Sequence, residues 1–149
     1  MFPELLAASL LLALCVAIHA AGLMAVLRRF TGPSQLNSLG VFAGTWLLVR
    51  VAWWLIFIHL IQIAVWAMFY FLMRCLPDLE TALYFSVVTY TTVGYGEVVL
   101  SKEWRLMAGV EALTGILMCG LSTGFFFAVL SRMRTMLPAA KDAGHAPPP

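Results

Sequence analysis

The sequence predicts an all-α membrane protein: three transmembrane helices, plus a short helix and a glycine-bearing loop that enter the membrane without crossing it. Three observations carry this. Of 149 residues, 62% are apolar and only 11% charged, giving a mean hydropathy of +0.94. That balance is far from a soluble domain's, whose surface has to be polar. Three segments, 5–27, 51–73 and 106–130, have the roughly 20 apolar residues that a spanning helix needs. A fourth, 79–90, is apolar but too short, and the loop after it carries Thr91-Thr92-Val93-Gly94-Tyr95-Gly96-Glu97.

Segment 1–30 reads as an accessory N-terminal span. Ala20-Ala21-Gly22 resembles a cleavage site, but Met1-Phe2-Pro3-Glu4 has no positive charge, so a retained helix is expected. Arg28 and Arg29 close this span and place that end in the cytoplasm by the positive-inside rule, leaving the N-terminus outside. Residues 31–40 (TGPSQLNSLG) form the cytoplasmic linker, with Gly32-Pro33 as helix breaker. The second span starts near Leu39, carries Arg50 at its inner end and stops at Arg74, before Pro77. Segment 79–90 dips in from outside and the loop climbs back. The last span then descends from Trp104 to the cytoplasmic Arg132, Arg134 and Lys141. Arg28, Arg29, Arg50, Arg132, Arg134 and Lys141 lie inside, against Arg74, Lys102 and Arg105 outside. The tail, 138–149, ends in three prolines and reads as disordered. Residues 41–137 make one membrane module, placed in the cell membrane with the C-terminus cytoplasmic.

Glu4, Asp78, Glu80, Glu97 and Glu103 all fall on the outer side, where a modestly negative surface raises local cation concentration. Cys15 and Cys119 lie in apolar spans and Cys75 at a span's end, without metal-ligand spacing. No nucleophile or metal pattern suggests an enzyme, no cofactor is implied, and nothing points to nucleic acid.

The loop is the chemically informative stretch. Backbone carbonyls aimed at one axis replace a cation's hydration shell, which requires alternation between ordinary and left-handed dihedrals. Gly94 and Gly96 permit it at low steric cost. Thr92-Val93-Gly94-Tyr95-Gly96 resembles the selectivity filter of potassium channels. The order of spans over residues 39–134 is similar to the pore module of the tetrameric potassium channel family, closest to small bacterial two-helix members, with an added N-terminal helix. The resemblance implies a homotetramer embedded in lipid, with K+ bound at Thr92, Val93, Gly94 and Tyr95 and the Thr92 hydroxyl at the inner mouth. It implies passive K+ conduction. A regulatory or non-conducting subunit of a hetero-oligomeric channel and an ion-coupled transporter subunit are the alternatives, although transporters of this kind usually repeat a weaker filter within one chain.

For the surroundings, the resemblance implies Tyr84 and Phe85 as an aromatic cuff around Tyr95, and Ser86, Thr89 and Thr91 as hydrogen-bonding groups behind the filter. Val88 stands where many members carry Glu, and Glu97 where many carry Asp; Tyr84 is a candidate partner for Glu97. Gly115 falls where a hinge glycine often lies, with close helix packing as the other reading. Ile116, Cys119, Thr123 and Phe127 have the helical spacing to line a cavity below the filter. Glu111, about 10 Å along its helix from Trp104, lies too deep to reach water easily. Bonds to Ser86, Thr89 or Gln62 are expected for it, and a proton-sensing role for Glu111 or His59 is open. His19 reads as a packing residue. A ladder of regularly spaced arginines, the mark of a voltage sensor, is absent from the sequence.

Overall fold

A computed structural model describes residues 2–30 and 41–136; the predicted linker and tail lie outside the described residues. All regular structure among the described residues is helical: α1 (Phe2–Phe30), α2 (Val41–Leu72), α3 (Leu79–Tyr90) and α4 (Arg105–Met136). Within α1, α2 and α4, the stretches Pro3–Arg29, Phe42–Leu72 and Arg105–Met133 are long and apolar enough to cross a membrane. The 12 residues of α3 rise only about 18 Å, well short of a bilayer core.

The helices run several residues beyond the apolar windows, because a helix continues for as long as its backbone bonds form, and hydropathy marks only the part that lipid covers. α2 ends at a specific device. The Cys75 amide donates to the Tyr70 carbonyl at 2.9 Å and the Arg74 amide to that of Phe71 at 3.1 Å. Arg74 itself has φ 53°, so this is a Schellman cap with arginine in the left-handed position usually held by glycine. It turns the chain sharply towards α3, whose first turn is capped by Asp78. The Asp78 carboxylate accepts from the Thr81 amide at 2.8 Å and from the Thr81 hydroxyl at 2.9 Å.

α1 packs against both α2 and α4, while α3 sits between α2 and α4. Two apolar clusters hold the bundle. One gathers Cys15, Trp66, Tyr70, Phe85, Tyr90, Met107 and Met118. The other gathers Val26, Val51, Leu55, Ile58, Val129 and Met133. Along every long helix a buried polar residue falls between the two: His19 on α1, Gln62 on α2 and Ser122 on α4. The interior is therefore layered, with a polar seam between two apolar slabs.

Candidate functional site

The loop after α3 has an alternating backbone. Thr91 ends the helix at φ −78°, then Thr92, Gly94 and Gly96 have φ 63°, 54° and 89°. Val93 and Tyr95 are not in the left-handed region, so every second residue from 92 to 96 is left-handed. For the two glycines this conformation costs little. For Thr92, β-branched, it is strained, and nothing but the residue's place in the motif hints at it. Such alternation turns successive carbonyls towards a common side, the arrangement that a row of cation seats requires.

Local hydrogen bonds tie the start of the loop to α3. The Thr92 amide donates to the Thr89 carbonyl at 2.9 Å and the Gly94 amide to that of Val88 at 3.2 Å. The Thr91 hydroxyl donates to the Val87 carbonyl at 2.6 Å. At the far end, the Tyr84 hydroxyl donates to Glu97 Oε1. Tyr84 thus reaches from the middle of α3 to the residue after the last glycine. Residues 91–97 are otherwise exposed along their whole length in the single chain, Tyr95 to 73%.

Phe85, expected beside Tyr84 around Tyr95, is buried within the chain and shares with Tyr84 the lining of a hollow beside Gly94 and Gly96. The Phe85 ring packs against Tyr70, the ring centroids 5.3 Å apart and nearly perpendicular. Adjacent residues on a helix point about 100° apart, so Phe85 turns deeper into the core while Tyr84 reaches Glu97. Thr89 is half-buried.

Glu111 is fully buried. Its Oε2 accepts a hydrogen bond from the Tyr70 hydroxyl at 2.9 Å. Ser86 lies beside the same carboxyl, but neither its hydroxyl nor Glu111 Oε1 completes a well-formed bond. Of the partners expected for Glu111, Ser86 is adjacent. Gln62 instead joins a separate network, because its amide is taken by Cys15, His19 and Tyr90. The sequence reading missed Tyr70, whose ring passed for one more apolar group near the end of a span.

On α4, Gly115 is buried against the end of α3: a Cβ there would overlap the Tyr90 carbonyl, reaching its carbon at 2.9 Å. Close approach of α4 to α3 is thus a packing reason for this glycine. Ile116, Cys119, Thr123 and Phe127 all lie exposed on a face of α4 that the single chain leaves uncovered, with Phe127 70% exposed. The Thr123 hydroxyl is turned back onto the Cys119 carbonyl at 2.9 Å. Cys15, Cys75 and Cys119 are free thiols.

Three apolar helices, a short fourth too brief to cross, and a loop of alternating backbone define a helical membrane protein. The sequence matches the ion channel family over residues 56–132, more than half of its 149 residues, and the chain belongs to that family. No curated protein and no solved structure matches it. The matched region takes in most of α2, all of α3, the loop and most of α4, whereas α1 lies outside it.

Proposed function

We propose that this ion channel is a potassium-selective, passive conductor built from four copies of the chain. The loops at residues 91–97 converge on a shared axis, and the carbonyls of Thr92, Val93, Gly94 and Tyr95, with the Thr92 hydroxyl, take the place of the ion's water. The observation that carries this reading is the alternation of left-handed backbone at Thr92, Gly94 and Gly96, in a loop whose sequence resembles a potassium filter. Its exposure in one chain supports the assembly, because a ring of carbonyls around an axis requires several copies.

On this reading α3 is a re-entrant pore helix. Its carboxyl end, at Tyr90 and Thr91, aims the negative end of the helix dipole at a central cavity and favours a cation there. α2 is the outer helix and α4 the inner one, with Ile116, Cys119, Thr123 and Phe127 lining the path below the filter. Gly115 is the hinge position of the inner helix on this reading, next to the pore helix it touches. The N-terminus lies outside the cell membrane and the C-terminus in the cytoplasm.

The test is flux from liposomes holding the purified full chain, K+ against Na+. K+ flux well above Na+ flux, abolished by Gly94→Ala, is the expected result, since a Cβ at φ 54° is strained whatever the space around it. Equal Na+ and K+ flux sinks the selectivity. No flux under any condition instead favours a non-conducting subunit.

A further inference from the structure

Behind the end of α3, five side chains from all four helices close into a ring. Gln62 Nε2 lies 3.1 Å from His19 Nδ1, and His19 Nε2 lies 3.3 Å from the Ser122 hydroxyl. Ser122 is 3.0 Å from His59 Nε2, and His59 Nδ1 is 3.0 Å from the Tyr90 hydroxyl. Tyr90 returns to Gln62 Oε1. His19 and Gln62 are fully buried, Tyr90 and Ser122 nearly so.

Hydrogen-bond chemistry fixes the direction of every bond in this ring. The Gln62 amide also donates to the Cys15 carbonyl at 3.3 Å; flipped, it would set two acceptor oxygens against each other there. With its nitrogen so anchored, Gln62 donates to His19 Nδ1, which must be bare. A neutral His19 therefore carries its proton on Nε2 and donates it to Ser122. At the other end Gln62 Oε1 needs a donor, and Tyr90 supplies its only proton. The Tyr90 oxygen then accepts from His59 Nδ1–H, which leaves His59 Nε2 bare to receive the Ser122 proton. All five bonds run in one sense, and each donor meets an acceptor. Chains of this kind polarise one another and strengthen together.

The ring closes only with both imidazoles neutral. A second proton on His19 would set its Nδ1–H against the Gln62 N–H. A second proton on His59 would displace the Ser122 proton from its acceptor. Either leaves a buried donor without a partner, and an added charge in an apolar slab. The other titratable groups near the Tyr90 end are Cys15 of α1, with Cys119 and Glu111 of α4. Glu111 turns its carboxyl to Tyr70.

The geometry points to this ring as an acid-released latch through which α1 positions the pore helix. His19, His59, Gln62 and Ser122 are positioning residues acting through Tyr90, which directly precedes the two threonines that open the filter. The latch rests on the reading of residues 91–97 as a filter. Neutral conditions keep α1, α2, α3 and α4 locked around Tyr90. Acid opens the ring, frees the Tyr90 hydroxyl and loosens the start of the loop. The layered interior places this polar seam at the junction of α1 with the other three helices, so α1 is given a task in the conducting module.

Two measurements on the full chain in lipid bilayers test it separately. Solid-state nitrogen-15 spectra at neutral pH are expected to show both imidazoles neutral, His19 protonated on Nε2 and His59 on Nδ1. A charged ring or either opposite tautomer overturns the latch, whatever the chain conducts. In liposome flux, the unaltered chain should lose K+ selectivity at the acid end. Ser122→Ala should lower the K+/Na+ flux ratio about tenfold at neutral pH, the equivalent of one broken buried hydrogen bond, while Ser122→Thr keeps it. His19→Gln retains a donor and an acceptor but takes no proton, and should move the acid loss to lower pH. Ratios and acid limbs unchanged in Ser122→Ala and His19→Gln overturn the positioning role. An unaltered chain that passes Na+ as readily as K+ tells against the filter reading instead, and the spectra still decide the state of the ring.

Discussion

The two sides of the carboxyl end of α3 are built on opposite terms. Behind it, one chain supplies everything: Tyr90 is buried, its hydroxyl is bonded to both Gln62 and His59, and its carbonyl is pressed against Gly115. In front of it, residues 91–97 stand exposed, with a few bonds back to α3 and a single side-chain brace from Tyr84 to Glu97. The back is a finished core, whereas the front is left uncovered by the single chain. The difference teaches which properties belong to the chain and which to the assembly. The position of α3 is set within one chain; on the proposed reading, the geometry of the ion seats is completed between chains.

Substitutions on the back should therefore damage the fold before assembly enters. Gly115→Val has the largest expected effect, because any Cβ overlaps the Tyr90 carbonyl and backbone cannot yield as a flexible side chain does. We expect no native bundle, read as loss of the cooperative thermal transition in detergent. Gly120→Ala on the same helix meets nothing within 4 Å in the single chain and is expected to keep that transition. If Gly115→Val and Gly120→Ala unfold alike, the back of α3 is not the rigid side.

Next in size is Tyr70→Phe. It removes the donor at Glu111 Oε2 and leaves a buried carboxyl whose Oε1 already lacks a well-formed bond. A buried acceptor without its partner costs about 1–3 kcal/mol, measured as a lower unfolding midpoint in detergent. Glu111→Gln should recover part of the loss in the Tyr70→Phe background, since an amide donates as well as accepts and Ser86 lies beside it. No recovery would show that Ser86 does not share this site.

How much of this contrast was legible in the sequence follows from the same physics. The spans and the short α3 were legible because a bilayer imposes a length and a composition. The turn of the loop was legible because Gly94 and Gly96 announce their left-handed backbone. The Tyr84–Glu97 pair was within reach too, as both positions follow from the order of the motif. Rotation of α1 was not legible. In soluble helices an apolar stripe marks the buried face, but α1 is apolar all round, so nothing said that His19 turns inward. Its partner Ser122 is 103 residues away. Gln62 and His59, three residues apart, share a face of α2, yet their partners lie on three other helices. The strain at Thr92 stayed hidden because threonine does not signal a positive φ.

On the front, Tyr84→Phe is expected to have a smaller and different effect. The side chain is exposed in the single chain, so the fold should be untouched. What is lost is the brace on Glu97 at the outer end of the loop. Conduction should begin normally and then decay a few-fold faster during sustained flux, most clearly at low K+. A lower unfolding midpoint with unchanged decay would place Tyr84 with the finished core instead of the open front.

The smallest effect should come from the other end of α3, where Asp78 caps the helix in solvent. The Thr81 amide, and then the Thr81 hydroxyl, hold the Asp78 carboxyl below its usual range. A depressed carboxyl stabilises the folded form fully above its unfolded value, about 3.9. That contribution disappears as pH falls through the lower, folded value. Asparagine is nearly as good an N-cap but does not titrate there. Asp78→Asn should therefore behave as the unaltered chain at neutral pH and lose only the part of the acid sensitivity that arises below pH ~4. Acid sensitivity from the histidine ring is told apart by its variant, because His19→Gln moves it and Asp78→Asn leaves it in place. Unfolding midpoints against pH for Asp78→Asn, set beside flux against pH for the same variant, separate the two. A change in flux confined below pH ~4 is assigned to the cap, whereas a shifted flux limb at milder acidity would mean that the helix start, and not the ring behind Tyr90, positions the loop.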